Sequence, residues 1–567
     1  MNTDSRLNIL FVCFFLAAVT IAARLFYWQV IDSSSLTLAA ENQHWVSLEI
    51  PAKRGEILFR DGYPLVSNSQ SFLLYASIPI LNDPPSKISG QIASIIADPS
   101  DASVSANLED RLTRQDLVWV PLKHGVSLEA KQKIEDLNIT GVGFEPEGQR
   151  GYPEGSIAAH LTGFVGSDVD GKDKGYFGLE GYYDLELKGQ AGLLRREKDP
   201  LGKPILIGEV KEEKSVSGRN LVTTIDRSVQ YIVDQKLTSG IIKYGAKSGT
   251  VILMDPASGE ILAMDSKPNY DQKDYWNYDQ SLYSNPAISM SFEPGSIFKV
   301  LVMSAALDSG AVKPEMICTF CYGPKQISDY TINTWNDKYY ANSTMVEVIQ
   351  HSDNVGMVFA AQKVGLDKLY TYLQNFGIGT ATGIDLEEES VPSMRAKKDW
   401  TEIDLATASF GQGIAVTPLQ MVKAVGALAN QGKMVRPFIV KKVISDDKTT
   451  QIEPKLENQV IKSSTAKVIT EMMINAVDNG EAKFAKPLGY RIAGKTGTAQ
   501  IPIAGHYDAT KTIASFIGFA PADNPKFVML VTLNEPSSSQ WGSETAAPLW
   551  FDIARELFHY WGISPTY

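Results

Sequence analysis

The chain is predicted to be an α+β protein, with an antiparallel β-sheet packed between helices, behind a strand-rich N-terminal module and one apolar helix. Three observations carry this. Leu7 to Ala23 holds no charge. Residues 31 to about 220 are short apolar runs broken by Gly, Pro, Asn and Asp. Beyond residue 220, hairpin-like strand pairs lie at both ends of a helix-rich stretch. The 567 residues are 44% hydrophobic and 21% charged, enough for two or three domains with cores of their own. A net charge of −12 without a long basic run leaves no electrostatic footprint for nucleic acid.

The elements follow in chain order. Residues 1–6 form a short tail carrying one basic residue, Arg6. Residues 7–30 run through Arg24 into Leu25-Phe26-Tyr27-Trp28-Gln29-Val30, near the roughly 20 residues that cross a bilayer. Tyr27 and Trp28 stand where an interfacial aromatic belt would lie, and Arg24 can snorkel to the same level. A cleaved signal peptide is the rival reading, since Ala22 and Ala23 are small. A lipoprotein box at Cys13 is opposed by the bulky Val12 before it. No second span is expected, so the rest of the chain should lie outside the cell membrane, with the N-terminus cytoplasmic. The charged, apolar-poor text from Gly208 to Asn220 marks a boundary between a module of residues 31–220 and a second of residues 221–567.

In the second module, Thr224 to Tyr244 reads as an amphipathic helix. Thr250 to Asp255 and Glu260 to Met264 form a hairpin about Pro256-Ala257-Ser258-Gly259. Thr512 to Phe519 and Lys526 to Leu533 form two more strands, joined through Ala520 to Pro525. Glu544 to Tyr560 closes the chain as a helix.

Three stretches carry chemistry: Ser296-Ile297-Phe298-Lys299, Ser352-Asp353-Asn354 and Lys495-Thr496-Gly497. In that order they match the motifs of serine acyltransferases that react with penicillin. Ser-x-x-Lys alone is weak, because Ser445 to Lys448 and Ser464 to Lys467 also fit. Context separates them. Pro294-Gly295 breaks the chain before Ser296, and Ile297 to Leu307 is an apolar helical run, so Ser296 and Lys299 share the first turn of a buried helix. Backbone N–H groups at such a turn would stabilise an oxyanion. Ser445 belongs to an acidic turn, and Ser464 is expected to cap the helix that runs to Val477.

A serine nucleophile needs a base, and His351 and His506 both read as loop residues. A lysine serves only when neutral. Its pKa, about 10.4 when free, must be lowered by burial or by a second cation, and Lys495 would supply that cation. Lys495 has its own rival reading, because Gly489 to Thr496 fits the phosphate-binding GxxxxGK[ST] pattern. That pattern must open a helix, whereas Gly497 and Pro502 favour a strand edge. Ser352-Asp353-Asn354 sits ahead of the helix-like run Val355 to Val364, where it can cap the helix and also relay protons and hold a carbonyl. Cys318 and Cys321 are a small structural disulfide or two spectator thiols. No second Cys/His cluster accompanies them, so neither a metal nor a cofactor is expected.

The text Phe292-Glu293-Pro294-Gly295-Ser296-Ile297-Phe298-Lys299, Ser352-Asp353-Asn354-Val355-Gly356-Met357 and Ala493 to Gln500 resembles the class B penicillin-binding proteins, the peptidoglycan transpeptidases of bacteria. Gly411-Gln412-Gly413, Thr417 to Gln420 and Phe516 to Pro521 are similar to further family phrases, and Arg54 to Ile57, Arg60-Asp61-Gly62 and Gly178 to Asp184 to its pedestal signature. Ile297, where a Thr is common, and the Cys pair depart from the pattern.

The resemblance implies roles. Ser296 would attack the penultimate D-alanine carbonyl of a stem peptide, and Lys299 would take its proton. Ser352 and Lys495 would return a proton to the leaving amine. Asn354, Thr496, Gly497 and Thr498 would bind peptide and carboxylate, and the N–H groups of Ser296 and Thr498 would form the oxyanion hole. It also implies β-lactam antibiotics as ligands, and a division-type role beside a polytopic glycan polymerase and other division proteins. An elongation-type enzyme, a carboxypeptidase or β-lactam hydrolase, and a sensor of the same fold remain the alternatives.

Overall fold

The computed structural model describes residues 3–37, 45–96, 102–114, 117–197, 210–503 and 506–566. Two compact units emerge, one from the described residues of Met1–Arg54 with Lys188–Gly218, the other from Gly55–Leu187 with Arg219–Tyr567.

In the first unit a helix spans Thr3–Phe26 and passes into a π-helical turn at Tyr27–Ile31. The span Asp4–Ile31, 28 residues, is long and apolar enough to cross a membrane, with an 18-residue stretch of mean hydropathy 2.5 of which none is buried. The Arg24 guanidinium lies 4.7 Å over the Trp28 ring, so the cation and the belt sit together as the spacing predicts. The strands Trp45–Ile50, Gly192–Glu197 and Val210–Glu213 form a small antiparallel sheet.

The second unit holds the functional core. Five strands, β1 (Ser248–Met254), β2 (Ile261–Lys267), β3 (Ala493–Ile503), β4 (His506–Ala520) and β5 (Phe527–Asn534), form an antiparallel sheet in the order β2-β1-β5-β4-β3. Both faces are covered, which explains why the inner strands β1 and β5 read as nearly continuous apolar runs. In β5, Phe527, Met529, Val531 and Leu533 enter one core and Val528 and Leu530 the other, the period of two expected of a strand.

The first core is closed by α1 (Arg227–Tyr244) and the C-terminal helix Ala546–Tyr560. Asp226 starts α1 by accepting the N–H groups of Ser228 and Val229, which moves the helix start three residues past the predicted Thr224. Gly240 lets the two helices approach, since a Cβ there would lie 2.6 Å from a Leu549 methyl. The terminal helix begins before Pro548, placing that proline in the first turn, where its missing N–H costs nothing. Trp550 is fully buried and donates its indole N–H to the Met529 carbonyl at 2.8 Å, so its apolar bulk carries no polar penalty.

The second core takes the helical insert between β2 and β3: α2 (Lys299–Asp308), α3 (Met345–Gln350), α4 (Asn354–Val364), α5 (Pro418–Ala429) and α6 (Ser463–Asn479). Ser464 is not the cap of α6. Lys462 occupies that position and Ser464 lies inside the first turn. Ser445 does lie in a turn, between the strands Val440–Ile444 and Thr449–Gln451.

The remaining part of this unit is strand-rich, as its composition predicts. Pro64–Ser77 pairs with Trp119–Val126 and with Val142–Gly151, and Ile57–Leu58 pairs in parallel with Asn220–Thr223. That last strand also pairs with Val440–Ile444, so one sheet runs from the early segment into the later one.

Candidate active site

Ser296 stands in a 3-10 turn, Gly295–Phe298, that leads directly into α2, one turn earlier than the regular helix itself. Gly295 has a φ of +54° and donates its N–H to the Gly411 carbonyl at 3.0 Å. Gly411, at φ +82°, must be glycine, because a Cβ there would lie 2.2 Å from the Gly295 oxygen. The adjoining bridge between Phe292 and Val416 holds the same approach. On the other side, a Cβ on Gly497 would come within 2.9 Å of the Ile297 side chain, so this glycine lets the edge strand β3 lie against the serine turn. Lys495-Thr496-Gly497 thus forms a strand edge and opens no helix, which removes the phosphate-loop reading.

Lys299 is fully buried. Its ammonium donates to the Ser352 carbonyl at 2.6 Å, the Ser352 hydroxyl at 3.2 Å and Asn354 Oδ1 at 2.7 Å. Ser352 adopts a φ of +55°, a conformation costly for a residue with a Cβ, and its carbonyl is the shortest of the three contacts. Asp353 caps α4 through the N–H groups of Val355 and Gly356, while its Oδ2 is buried without a hydrogen-bond partner. Asn354 also donates Nδ2 to the Asn333 carbonyl at 2.9 Å, which fixes its amide orientation. The motif therefore caps a helix and engages the lysine at once.

Burial pulls the Lys299 pKa well below its ordinary value, and the Lys495 charge lowers it further, against the opposing pull of Asp353 and Glu481. Lys495 is also buried. Desolvation brings its pKa down to about 8, with Glu481 opposing. Among the described residues its hydrogen bonds go to its neighbour, the Thr496 carbonyl at 3.2 Å and hydroxyl at 3.1 Å. Thr498 Oγ1 accepts the Gly542 N–H at 3.0 Å. His351 ends α3 and stacks on Tyr340 with ring centroids 4.2 Å apart, while His506 opens strand β4 and is not in a loop.

Ser296, Asn354 and Thr498 line one cavity of about 200 Å³. Its other walls are Gly295, Gln412 and Gln500, which lie in the sequence phrases quoted above, and Trp335, Phe410, Thr512, Gln540 and Trp541, which were given no role from the sequence. The Gly411-Gln412-Gly413 phrase was a usable signal for Gln412. Nothing local marked Trp335 and Trp541, whose rings meet edge-to-face at 4.9 Å from positions far apart in the chain. Cys318 and Cys321 form a disulfide inside the second core. Among the described residues no cluster of His, Cys, Asp and Glu is suited to a metal ion.

Residues 249–559 match the penicillin binding protein transpeptidase domain, and residues 49–223 the penicillin-binding protein dimerisation domain. The chain is 33% identical to stage V sporulation protein D of Bacillus subtilis, over 100% of this chain and 87% of that protein. It is 28% identical to the peptidoglycan D,D-transpeptidase FtsI of Escherichia coli, over 99% and 92%. Penicillin binding protein 3 of Mycobacterium tuberculosis in complex with aztreonam shares the fold with a TM-score of 0.70 at 26% identity, over 92% of this chain and 99% of that one. With both domain models in the order dimerisation then transpeptidase, and a relative of this identity along its full length, the chain belongs to the class B penicillin-binding protein family.

Proposed function

We propose that this protein is a peptidoglycan D,D-transpeptidase that cross-links stem peptides through an acyl-enzyme on Ser296. One observation carries the reading: a serine lining a cleft, beside a buried lysine, Lys299, that is held by Ser352 and Asn354 and whose pKa is lowered by burial and by the charge of a second buried lysine, Lys495. Neutral Lys299 takes the Ser296 proton as Oγ attacks the penultimate D-alanine carbonyl. The N–H groups of Ser296 and Thr498 hold the oxyanion, for which the close approach of β3 to the serine turn is the support. The C–N bond breaks, and a proton passed through Ser352 and Lys495 goes to the departing D-alanine amine. Lys495, charged below pH about 8, together with Thr496 and Thr498 holds the terminal carboxylate. An amine of a second stem peptide then attacks the ester, forms the amide and returns the proton to Ser296. A β-lactam acylates the same oxygen, in keeping with the aztreonam complex of the similar structure.

The apolar N-terminal helix, by this reading, anchors residues 31–220 as a pedestal and 221–567 as the enzyme on the outer face of the cytoplasmic membrane. Likeness to FtsI supports septal wall synthesis beside a polytopic glycan polymerase and division proteins. The higher identity to the sporulation protein favours a second reading, use of the same chemistry in sporulation. Labelling with a fluorescent penicillin tests the nucleophile: Ser296→Ala should lose it, and retained labelling sinks the assignment. Turnover of a stem-peptide thioester with an amine acceptor separates cross-linking from hydrolysis. Depleted cells should filament, and rounding would overturn the septal role.

A further inference from the structure

The strand Thr449–Gln451 lies at one end of the sheet that runs from the early segment into the later one. Val440–Ile444 pairs with it on one side, and among the described residues no strand pairs with its outer edge. All three of its residues are exposed. An unpaired edge of this kind is a template for one more strand.

From this edge the chain passes directly into the wall of a cavity of about 270 Å³, to which Ile452, Glu453 and Lys455 contribute. Phe438 and the Tyr182 and Tyr183 rings complete its apolar part, the two tyrosines meeting edge-to-face at 5.0 Å. Tyr182 is 46% exposed, so its ring stays open to a further aromatic neighbour. The charged groups of the wall differ in what they already hold. Asp385 accepts the N–H groups of Ile439 at 2.7 Å and Val440 at 2.8 Å and the Tyr183 hydroxyl at 2.9 Å, so both its oxygens are occupied. Glu453 and Lys455 are exposed and opposite in sign. Arg436 is half-buried, donates Nε to the Gly383 carbonyl, and offers its two terminal nitrogens to no acceptor among the described residues. Gly383 makes room for it, since a Cβ there would lie 3.1 Å from Arg436 Nε. A guanidinium drawn out of water without an anion is costly, and its terminal nitrogens form the fork that receives a carboxylate. The group left to be matched is therefore this cation, beside aromatic rings and a free strand edge.

We propose that this face docks an extended peptide segment of a partner protein, which adds a strand to the Thr449–Gln451 edge, sets an aromatic side chain against Tyr182 and Phe438, and pairs an acidic side chain with Arg436. Both side chains enter one cavity, so they lie on one face of the added strand, two residues apart. Main-chain hydrogen bonds along the edge give affinity, and the cavity gives selectivity. Docking here does not depend on the chemistry at Ser296.

The test uses the full chain in detergent micelles and the peptide Thr-Thr-Phe-Thr-Glu-Thr-Thr, acetylated and amidated at its ends, followed by saturation-transfer NMR. Saturation of the phenyl protons is expected. Replacing the peptide's phenylalanine by serine, or its glutamate by glutamine, should weaken binding about tenfold, the effect of one lost contact. Tyr182→Ala and Arg436→Glu should do the same, and a peptide with lysine in place of glutamate should recover binding to Arg436→Glu. Hydrocinnamate, an aromatic carboxylate without a peptide backbone, should bind at least about tenfold more weakly. No binding of the peptide, equal binding by Tyr182→Ala, or equal binding of hydrocinnamate overturns the proposal; so does self-association of the protein that the peptide displaces, which would make a second copy of the chain the occupant. Fluorescent penicillin labelling of Ser296 should be unchanged in both variants, which reports folding and keeps failure of this site separate from failure of the catalytic reading. Tyr182 is on the surface, so its variant decides the matter even if Arg436→Glu does not fold.

Discussion

Two buried lysines set the behaviour of the site residue by residue. In the proposed mechanism Lys299 must be neutral to act as base, and its lowered pKa raises the neutral fraction; Lys495 must be charged to hold a carboxylate, which restricts it to below pH about 8. Acylation by penicillin is therefore expected to rise with pH through the Lys299 titration and fall as the pH passes about 8; a rate still flat at pH 10 would refute the charge role of Lys495. Glu481 raises the pKa of both lysines, so Glu481→Gln should move both limbs of the profile to lower pH. Stability follows the same linkage. In the unfolded chain Lys495 titrates near 10.5, in the fold at about 8, so the unfolded state binds more protons between those values and stability rises with pH across that window. Below it the buried ammonium costs roughly 3 kcal/mol. Lys495→Met is expected to raise Tm by ~3 °C or more while acylation is lost, checked by calorimetry beside penicillin labelling.

Among the elements, three turns and one strand edge hold the chemistry in register. The serine turn is held between Gly411 on one side and β3 on the other, so its position depends on glycines that carry no reacting group. Gly411→Ala would force a Cβ into the Gly295 carbonyl and strain a positive φ; acylation is expected to drop about a hundredfold, the scale of a misplacement near 1 Å, with the fold retained by circular dichroism. Asp353→Ala removes the cap of α4 and a negative neighbour of Lys299. It should destabilise by about 1 kcal/mol in a urea titration and shift the acid limb of the acylation profile downward, since the carboxylate raises the lysine pKa. A change in stability alone would mark Asp353 as a cap only.

On the scale of the whole molecule, the chain carries a strand-rich module, a transpeptidase sheet and an apolar helix of membrane-spanning length. Deleting residues 1–31 is expected to release the protein from membrane vesicles in a flotation assay while penicillin labelling persists. Retained flotation would place the membrane contact elsewhere in the chain.

The sequence alone determined the α+β class, the membrane-length helix and the strands of the sheet, and named Ser296, Lys299, Ser352, Asn354 and Lys495 as candidates, because periodicity, turn residues and short motifs are local properties of a chain. Boundaries moved where a cap decided them, as Asp226 does for α1 and Lys462 for α6. Only the tertiary structure brought residues 296–299, 352–354 and 495–498 to one place, buried the two lysines and thereby changed their pKa. The aromatic wall of Trp335 and Trp541 was likewise invisible beforehand, because contact between rings so far apart in the chain is a property of packing between distant segments.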